Sequence, residues 1–243
     1  MSTLYAVGCS HTRYCWPTYA DILGQEYDKF ENWGQSGFGN LAIMHRALEI
    51  AEQAEPDDKI IVQWTYPTRF DFHRKGDGWY QGGNLQHNYD QVQQTINRYC
   101  YDPDSYQWHT ETYVKLMKQY LDMNCSDFHM LGADFDVTQI VEFPDDKEAL
   151  PPLWIMNDFD IPHRKFLNVR PSRNPIPRLE QDDHWTPRHH LKYLEKAGFT
   201  ITEKMLQYVN NAESLLDEIK DWKWINHRMV EQGYTEGGDY GRF

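Results

Sequence analysis

The chain has 243 residues, 40% hydrophobic and 25% charged, the proportions of a globular protein that folds as one large domain without needing disulfides or metal. Its formal net charge of -13 repels phosphate backbones and anionic headgroups, and no Lys/Arg cluster offers a local exception, so nucleic acid and membrane are excluded as expected partners. The four cysteines (Cys9, Cys15, Cys100 and Cys125) form no CxxC pair, and no apolar run approaches the ~20 residues that span a bilayer, which predicts free thiols and a cytoplasmic setting, or a particle assembled in one.

In chain order, Leu4 to Val7 is a short apolar run stopped by Gly8, read as a central parallel strand leading into a tight turn. With neither a basic n-region nor a long apolar h-region around it, this stretch reads as a buried strand rather than a signal sequence. Trp16 to Leu23 reads as a helix with Pro17 in its first turn, and Lys29 to Trp33 as a second strand. A glycine-punctuated loop, Gly34 to Gly39, precedes a helix capped by Asn40 and running to about Ala54, with Leu41, Met44, Leu48 and Ala51 on its apolar face. Lys59 to Trp64 is the clearest strand. Strands alternating with helices predict a parallel sheet covered on both faces.

From 66 to 104 the periodicity fades among glycines and aromatics, which suits an insertion or lid in loop form. Trp79, Tyr80, Tyr99 and Tyr101 there, with Tyr106 and Trp108 just after, offer either stacking platforms for sugar rings or packing onto the core. A helix from Tyr106 to Met123, a strand from Phe128 to Leu131 and a proline-rich irregular stretch from Asp134 to Gln181 follow. Then come a helix from Thr186 to Ala197 stopped by Gly198, a strand or edge from Phe199 to Ile201, a charged helix from Ala212 to Glu231 and a glycine-rich tail from Gly233. The whole is one domain, 1–243, with a helical extension and tail over 202–243; the insertion and that helix are the places where an assembly partner would dock.

Two short segments carry chemistry. Gly8-Cys-Ser-His-Thr12 follows the first strand and presents a hydroxyl at the carboxyl edge of the sheet, where open α/β sheets bind ligands. A serine there also serves as a helix cap. Asp182-Asp-His-Trp-Thr-Pro-Arg-His-His190 supplies what a serine nucleophile needs: an imidazole base and a carboxylate to orient it. Asp182 is preferred over Asp183 as that carboxylate, and His11 is read as a neighbour of Ser10 rather than its base. The spacing of His184, His189 and His190 with the two aspartates matches no recognised metal pattern, so neither metal nor cofactor is expected. Cys9 reads as a buried, inert thiol.

These segments resemble the SGNH (GDSL-type) hydrolase family. Gly8-Cys-Ser10 is similar to its first block, with Cys9 in place of the usual Asp. Asp182-Asp-His-Trp-Thr-Pro looks like the Asp-Thr-His-Trp-Asn-Pro form of the alginate-acetylation branch, and His190 falls where that branch often has a further His. Asn32-Trp-Gly-Gln-Ser-Gly37 stands at the second block, whose glycine N–H helps form the oxyanion hole; the resemblance carries that role to Gly37, less readily to Gly34. The third block departs, with Val62-Gln-Trp-Thr65 where the family has Asn, leaving Gln63 or Thr65 as replacement donors. Losing one such donor costs ~10²–10³ in turnover.

The resemblance implies a three-layer α/β/α, flavodoxin-like fold and a serine esterase acting on a small-molecule or glycan ester, an O-acetyl group foremost, through Ser10, His184 and Asp182. The oxyanion would be held by Ser10, Gly37 and Gln63 or Thr65. An O-acetyltransferase with the same residues is the near alternative. A catalytically weak binding or structural module is another, since the segments are also similar to small SGNH-like proteins of bacteriophages, where the chain would belong to a virion.

Overall fold

The computed structural model describes residues 2–76, 78–85, 90–144, 148–169 and 178–237. Its centre is a four-stranded sheet of β1 (Thr3–Val7), β2 (Lys29–Asn32), β3 (Lys59–Trp64) and β6 (Phe128–Gly132), in the order β2-β1-β3-β6 with every pair parallel. Pairing of Ala6 with Asn32, Val7 with Val62 and Val62 with Met130 aligns the carboxyl ends of the strands along one edge. The chain goes to one side of β1 for β2 and returns to the other for β3, so the two loops leaving β1 and β3 diverge at a topological switch point.

Side chains alternate along each strand, and the alternation divides the core. Leu4, Ala6, Ile61 and Leu131 pack beneath α1 (Tyr19–Leu23), α5 (Pro187–Lys196) and α6 (Glu203–Glu218). Tyr5, Val7, Ile60, Val62 and Met130 face the opposite way, against α2 (Asn40–Ala51) and α4 (Pro103–Asn124). Helices thus cover both faces, which makes the chain a mixed α/β protein compatible with three α/β/α layers. Each fully buried Leu, Ile or Val contributes about 1.5–3 kcal/mol, so the sheet centre is where the fold is held hardest. Among the described residues no helix is long and apolar enough to cross a membrane.

Several elements differ from the sequence reading. The segment 66–104 is built rather than irregular: β4 (Arg69–Arg74) and β5 (Gly78–Asn84) form an antiparallel hairpin, followed by α3 (Gln91–Tyr99). Gly76 and Gly78, with φ of +91° and +76°, take the left-handed backbone that a tight reversal between strands requires. Asp71 of the hairpin accepts the N–H of Ala42 at 3.0 Å, and Gly83 donates to Gly37 O at 3.1 Å, which anchors the hairpin over the loop before α2. Its aromatics mainly contact one another and the core: Phe72 stacks on Tyr80, and Trp79 meets His45 edge-on, while Tyr99 and Trp108 are exposed.

Pro17 lies before α1, not within it, because Thr18 is the N-cap. Gly39 takes the N-cap of α2, and that helix buries Ala42, Ile43, Ala47 and Ile50, with Leu41, Met44 and Leu48 only partly covered. Phe199 to Ile201 is not a strand: Gly198, at φ +90°, closes α5 with Phe199 N–H donating to Leu194 O, and Phe199 and Ile201 then pack on the core. The long C-terminal helix is two, α6 from Glu203 and α7 (Ile225–Glu231), separated by a 3-10 turn at Trp222–Trp224. The proline-rich stretch holds a short ladder, β7 (Lys165–Leu167) with β8 (Leu179–Gln181); Pro171, Pro175 and Pro177 lie outside the described residues, as does the tail beyond 237.

Candidate active site

The turn leaving β1 is built by hydrogen bonds. Cys9 O accepts from Thr12 N at 2.9 Å and Arg13 N at 3.1 Å, while Gly8 O accepts from Gln35 N at 2.9 Å, joining this turn to the loop after β2. The requirement for glycine at position 8 is space rather than a special dihedral: a Cβ there would sit 2.6 Å from Gln63 Oε1 and 2.9 Å from Gln63 Cβ. Gln63 Oε1 accepts from Cys9 N at 3.0 Å, Cys9 Sγ at 3.2 Å and Thr12 Oγ1 at 3.1 Å, and its Nε2 donates to Trp64 O. Gln63 is therefore engaged at both ends in fixing the turn.

A buried polar network continues beneath the turn. Thr12 O accepts from Thr18 Oγ1 at 2.6 Å and Asn32 Nδ2 at 2.9 Å, and Asp21 accepts from Thr18 N at 2.8 Å and Asn32 Nδ2 at 3.2 Å. Burial pushes the Asp21 carboxyl up to about 6 against these hydrogen bonds. The ends of β1 and β2 and the start of α1 are tied in this way, which fixes where Ser10 emerges.

The Asp182–His184 segment meets this turn from far along the chain. It leaves the β7–β8 ladder, with Asp182 N donating to Arg164 O at 3.0 Å, and enters α5 through Thr186. Trp16 Nε1 donates to Trp185 O at 2.9 Å, and the His11 ring lies 4.6 Å from Trp185 and 5.8 Å from His184, centroid to centroid. The two chemistry-bearing segments thus share the carboxyl edge of the sheet.

Within the site, Asp182 is buried and Asp183 exposed. Asp182 Oδ1 accepts from His184 N and pairs with His184 Nδ1, each at 2.9 Å. Its other oxygen accepts from Tyr14 Oη and Trp222 Nε1, each at 2.8 Å. Burial alone would raise the Asp182 carboxyl; the hydrogen bonds and charge of His184, with that of Tyr14, outweigh it and hold the group below the usual carboxylate range. Tyr14 also stacks on the His184 ring, 3.8 Å between centroids and 25° between planes.

Ser10 is 3% exposed, and among the described residues its hydroxyl makes no hydrogen bond to His184. His11 is held neutral: burial first, then the nearby charges of His184, Arg69 and His190, lower it well below the imidazole norm. Its Nδ1 is buried with no hydrogen-bond partner. His190 is lowered to about 3 by burial and by His189 and His184, and His189 Nδ1 accepts from Thr186 N at 3.1 Å as part of the helix cap.

Of the remaining sequence-derived positions, Gly37 takes a φ of +84° in the loop beside the turn, whereas Gly34 N is engaged by Asn32 Oδ1 at 3.1 Å. Thr65 N donates to Asn40 Oδ1 at 2.8 Å and Thr65 O accepts from Asn40 Nδ2 at 3.0 Å, leaving the Thr65 hydroxyl buried without a partner. Cys9 is buried, with its thiol on Gln63. Among the described residues no group of three or more His, Cys, Asp or Glu is disposed to hold a metal ion. Sequence reasoning missed Tyr14, Trp222 and Asn40; nothing local to them signals a partner 168, 40 or 25 residues away.

Compared with protein-family models and with curated proteins, the chain matches none.

Proposed function

We propose that the chain is a serine esterase of the SGNH type, with a flavodoxin-like sheet, that cleaves acyl esters of small molecules or glycans, O-acetyl groups foremost. The strand order β2-β1-β3-β6 with helices on both faces supports that architecture. The observation that carries the activity is the 2.9 Å pairing of His184 Nδ1 with buried Asp182, delivered beside the turn that bears Ser10.

With Asp182 on Nδ1, the other ring nitrogen of His184 is left to take the proton of Ser10 as its oxygen attacks the ester carbonyl. The Ser10–His184 hydrogen bond closes when substrate is bound, as catalytic contacts that are loose in the free enzyme do. The N–H groups of Ser10 and Gly37 hold the oxyanion, with the Thr65 hydroxyl in place of the third-strand donor. The alcohol leaves with the proton from His184. Water, deprotonated by His184, then releases the acyl group from Ser10.

A second reading, a module that keeps the fold without turnover, draws on two observations: Gln63 is engaged in the turn, and Ser10 has no hydrogen bond to His184. Hydrolysis of p-nitrophenyl acetate separates the readings. Turnover by the folded wild type that disappears in Ser10→Ala supports the esterase; equal rates in both, above a heat-killed control, sink it.

A further inference from the structure

Asp182 is gripped by two side chains that the acyl chemistry above does not use. Tyr14 Oη and Trp222 Nε1 both donate to Oδ2 at 2.8 Å, while the backbone N and ring Nδ1 of His184 sit on Oδ1 at 2.9 Å. A carboxylate has about four acceptor sites, and all four are filled. The indole and backbone N–H groups can only donate, one on each oxygen, so a carboxylic acid O–H would find an acceptor only in His184 Nδ1 or Tyr14 Oη, and would forfeit the hydrogen bond that group donates to the carboxylate. The arrangement therefore favours the ionised form, and an ionised Oδ1 requires the proton of His184 to lie on Nδ1.

The two donors arrive from separate parts of the chain. Tyr14 stands four residues after Ser10, on the same turn, and its ring lies flat against the imidazole of His184. Trp222 belongs to the helical extension, on a 3-10 turn whose N-cap is Asp221. That turn is locked to the ladder before Asp182: Leu167 N donates to Lys220 O at 2.9 Å, and Asn168 Nδ2 donates to Asp221 Oδ2 at 2.9 Å. Asn168 has φ +59°, a left-handed conformation that asparagine tolerates better than most residues. The extension thus forms one wall of the site. Other polar or titratable groups packed around the pair are His11 and Cys15 from the turn after β1, His190 from α5, and His163, whose Nδ1 lies 3.4 Å from His184 O.

We infer that Tyr14 and Trp222 are positioning residues that fix the carboxylate of Asp182 and, through it, keep the His184 proton on Nδ1 so that the opposite ring nitrogen faces Ser10. The kinetic consequence rests on the esterase reading; the tautomer does not.

The test is ¹⁵N NMR of the histidine side chains at pH 9, with kinetics on p-nitrophenyl acetate, for wild type, Tyr14→Phe and Trp222→Phe. Both substitutions keep an aromatic ring and remove one donor, and thermal melts establish which variants fold; if one does not, the other decides. The expected result is a His184 ring protonated on Nδ1 in wild type and shifted toward the Nε2-protonated form in the variants. kcat is expected to fall roughly tenfold per donor removed, with KM unchanged. Variants that keep both the wild-type tautomer and the wild-type kcat would overturn the inference. If wild type shows no turnover the esterase reading falls, and the tautomer alone decides: a shift in the variants upholds the positioning role, and no shift refutes it.

Discussion

Replacing Asp182 by Asn keeps the shape of the side chain and removes the property on which the site depends. Four donors point at this carboxylate: His184 N and Nδ1 on one oxygen, Tyr14 Oη and Trp222 Nε1 on the other. Whichever way the amide turns, its NH₂ faces an N–H that cannot accept, either the backbone of His184 or the indole of Trp222. At 3% exposure, water cannot relieve the conflict. Two hydrogen bonds to a charge are lost or reversed at about 1.5–3 kcal/mol each, so Asp182→Asn is expected to cost roughly 3–6 kcal/mol of stability. For a domain of this size that lowers Tm by roughly 10 °C in a calorimetric or circular-dichroism melt. Because the folded-state pKa of Asp182 lies below the ordinary 3.8, its contribution is fully present above that value and lost as pH falls through the depressed one, so the gap to the variant narrows below pH 3.8. Turnover falls about 10⁴-fold, since the amide favours the wrong histidine tautomer. A variant that melts within about 2 °C of wild type at pH 7 would mean that the four donors do not converge on this side chain as described.

Asp71 gives a pH dependence of opposite sign. Burial raises its carboxyl to about 6 despite the N–H donors of Ala42 and Gly39, so the folded state holds the proton more tightly than the unfolded chain, and stability is lost as pH rises from 3.8 to about 6. The urea-denaturation difference between wild type and Asp71→Asn should therefore favour wild type by about 2 kcal/mol more at pH 4 than at pH 7; a pH-independent difference would contradict it. Gln63→Leu removes the acceptor of Cys9 N and Thr12 Oγ1 and leaves Trp64 O without its donor. A loss of about 2–4 kcal/mol is expected from unsatisfied buried groups, read as a lower denaturation midpoint, and an unchanged midpoint would show that the turn does not depend on this side chain.

The central strands were legible because their signal is local: Leu4–Val7 and Lys59–Trp64 are apolar runs that must be buried on both faces, and each ends at a turn. Both halves of the candidate site were legible for a related reason, since serine on one side and Asp-x-His on the other lie in contiguous motifs. The hairpin was not. Arg69–Arg74 buries one residue in six and Gly78–Asn84 is glycine-rich, so its strands lean on an edge formed by α2 and the Gly37 loop, which periodicity does not encode. The two C-terminal helices follow from features that hydrophobic spacing underweights: the Thr202 cap, whose hydroxyl accepts Met205 N, and the break before Trp222, held by the side chain of Asp221. Gln63 has the chemistry of an oxyanion donor, and its sequence position gives no sign that Cys9 and Thr12 would claim its amide oxygen while its nitrogen donates to Trp64 O. Tyr14 and Trp222 converge on Asp182 only through the tertiary fold.

The most direct test is a fluorophosphonate probe, which reacts with a serine hydroxyl only where a base activates it, followed by peptide mass mapping of the adduct in folded wild type and folded His184→Ala. The account predicts an adduct on Ser10 in wild type and none in His184→Ala. A folded wild type that stays unlabelled, or a Ser10 labelled equally well without His184, would contradict it.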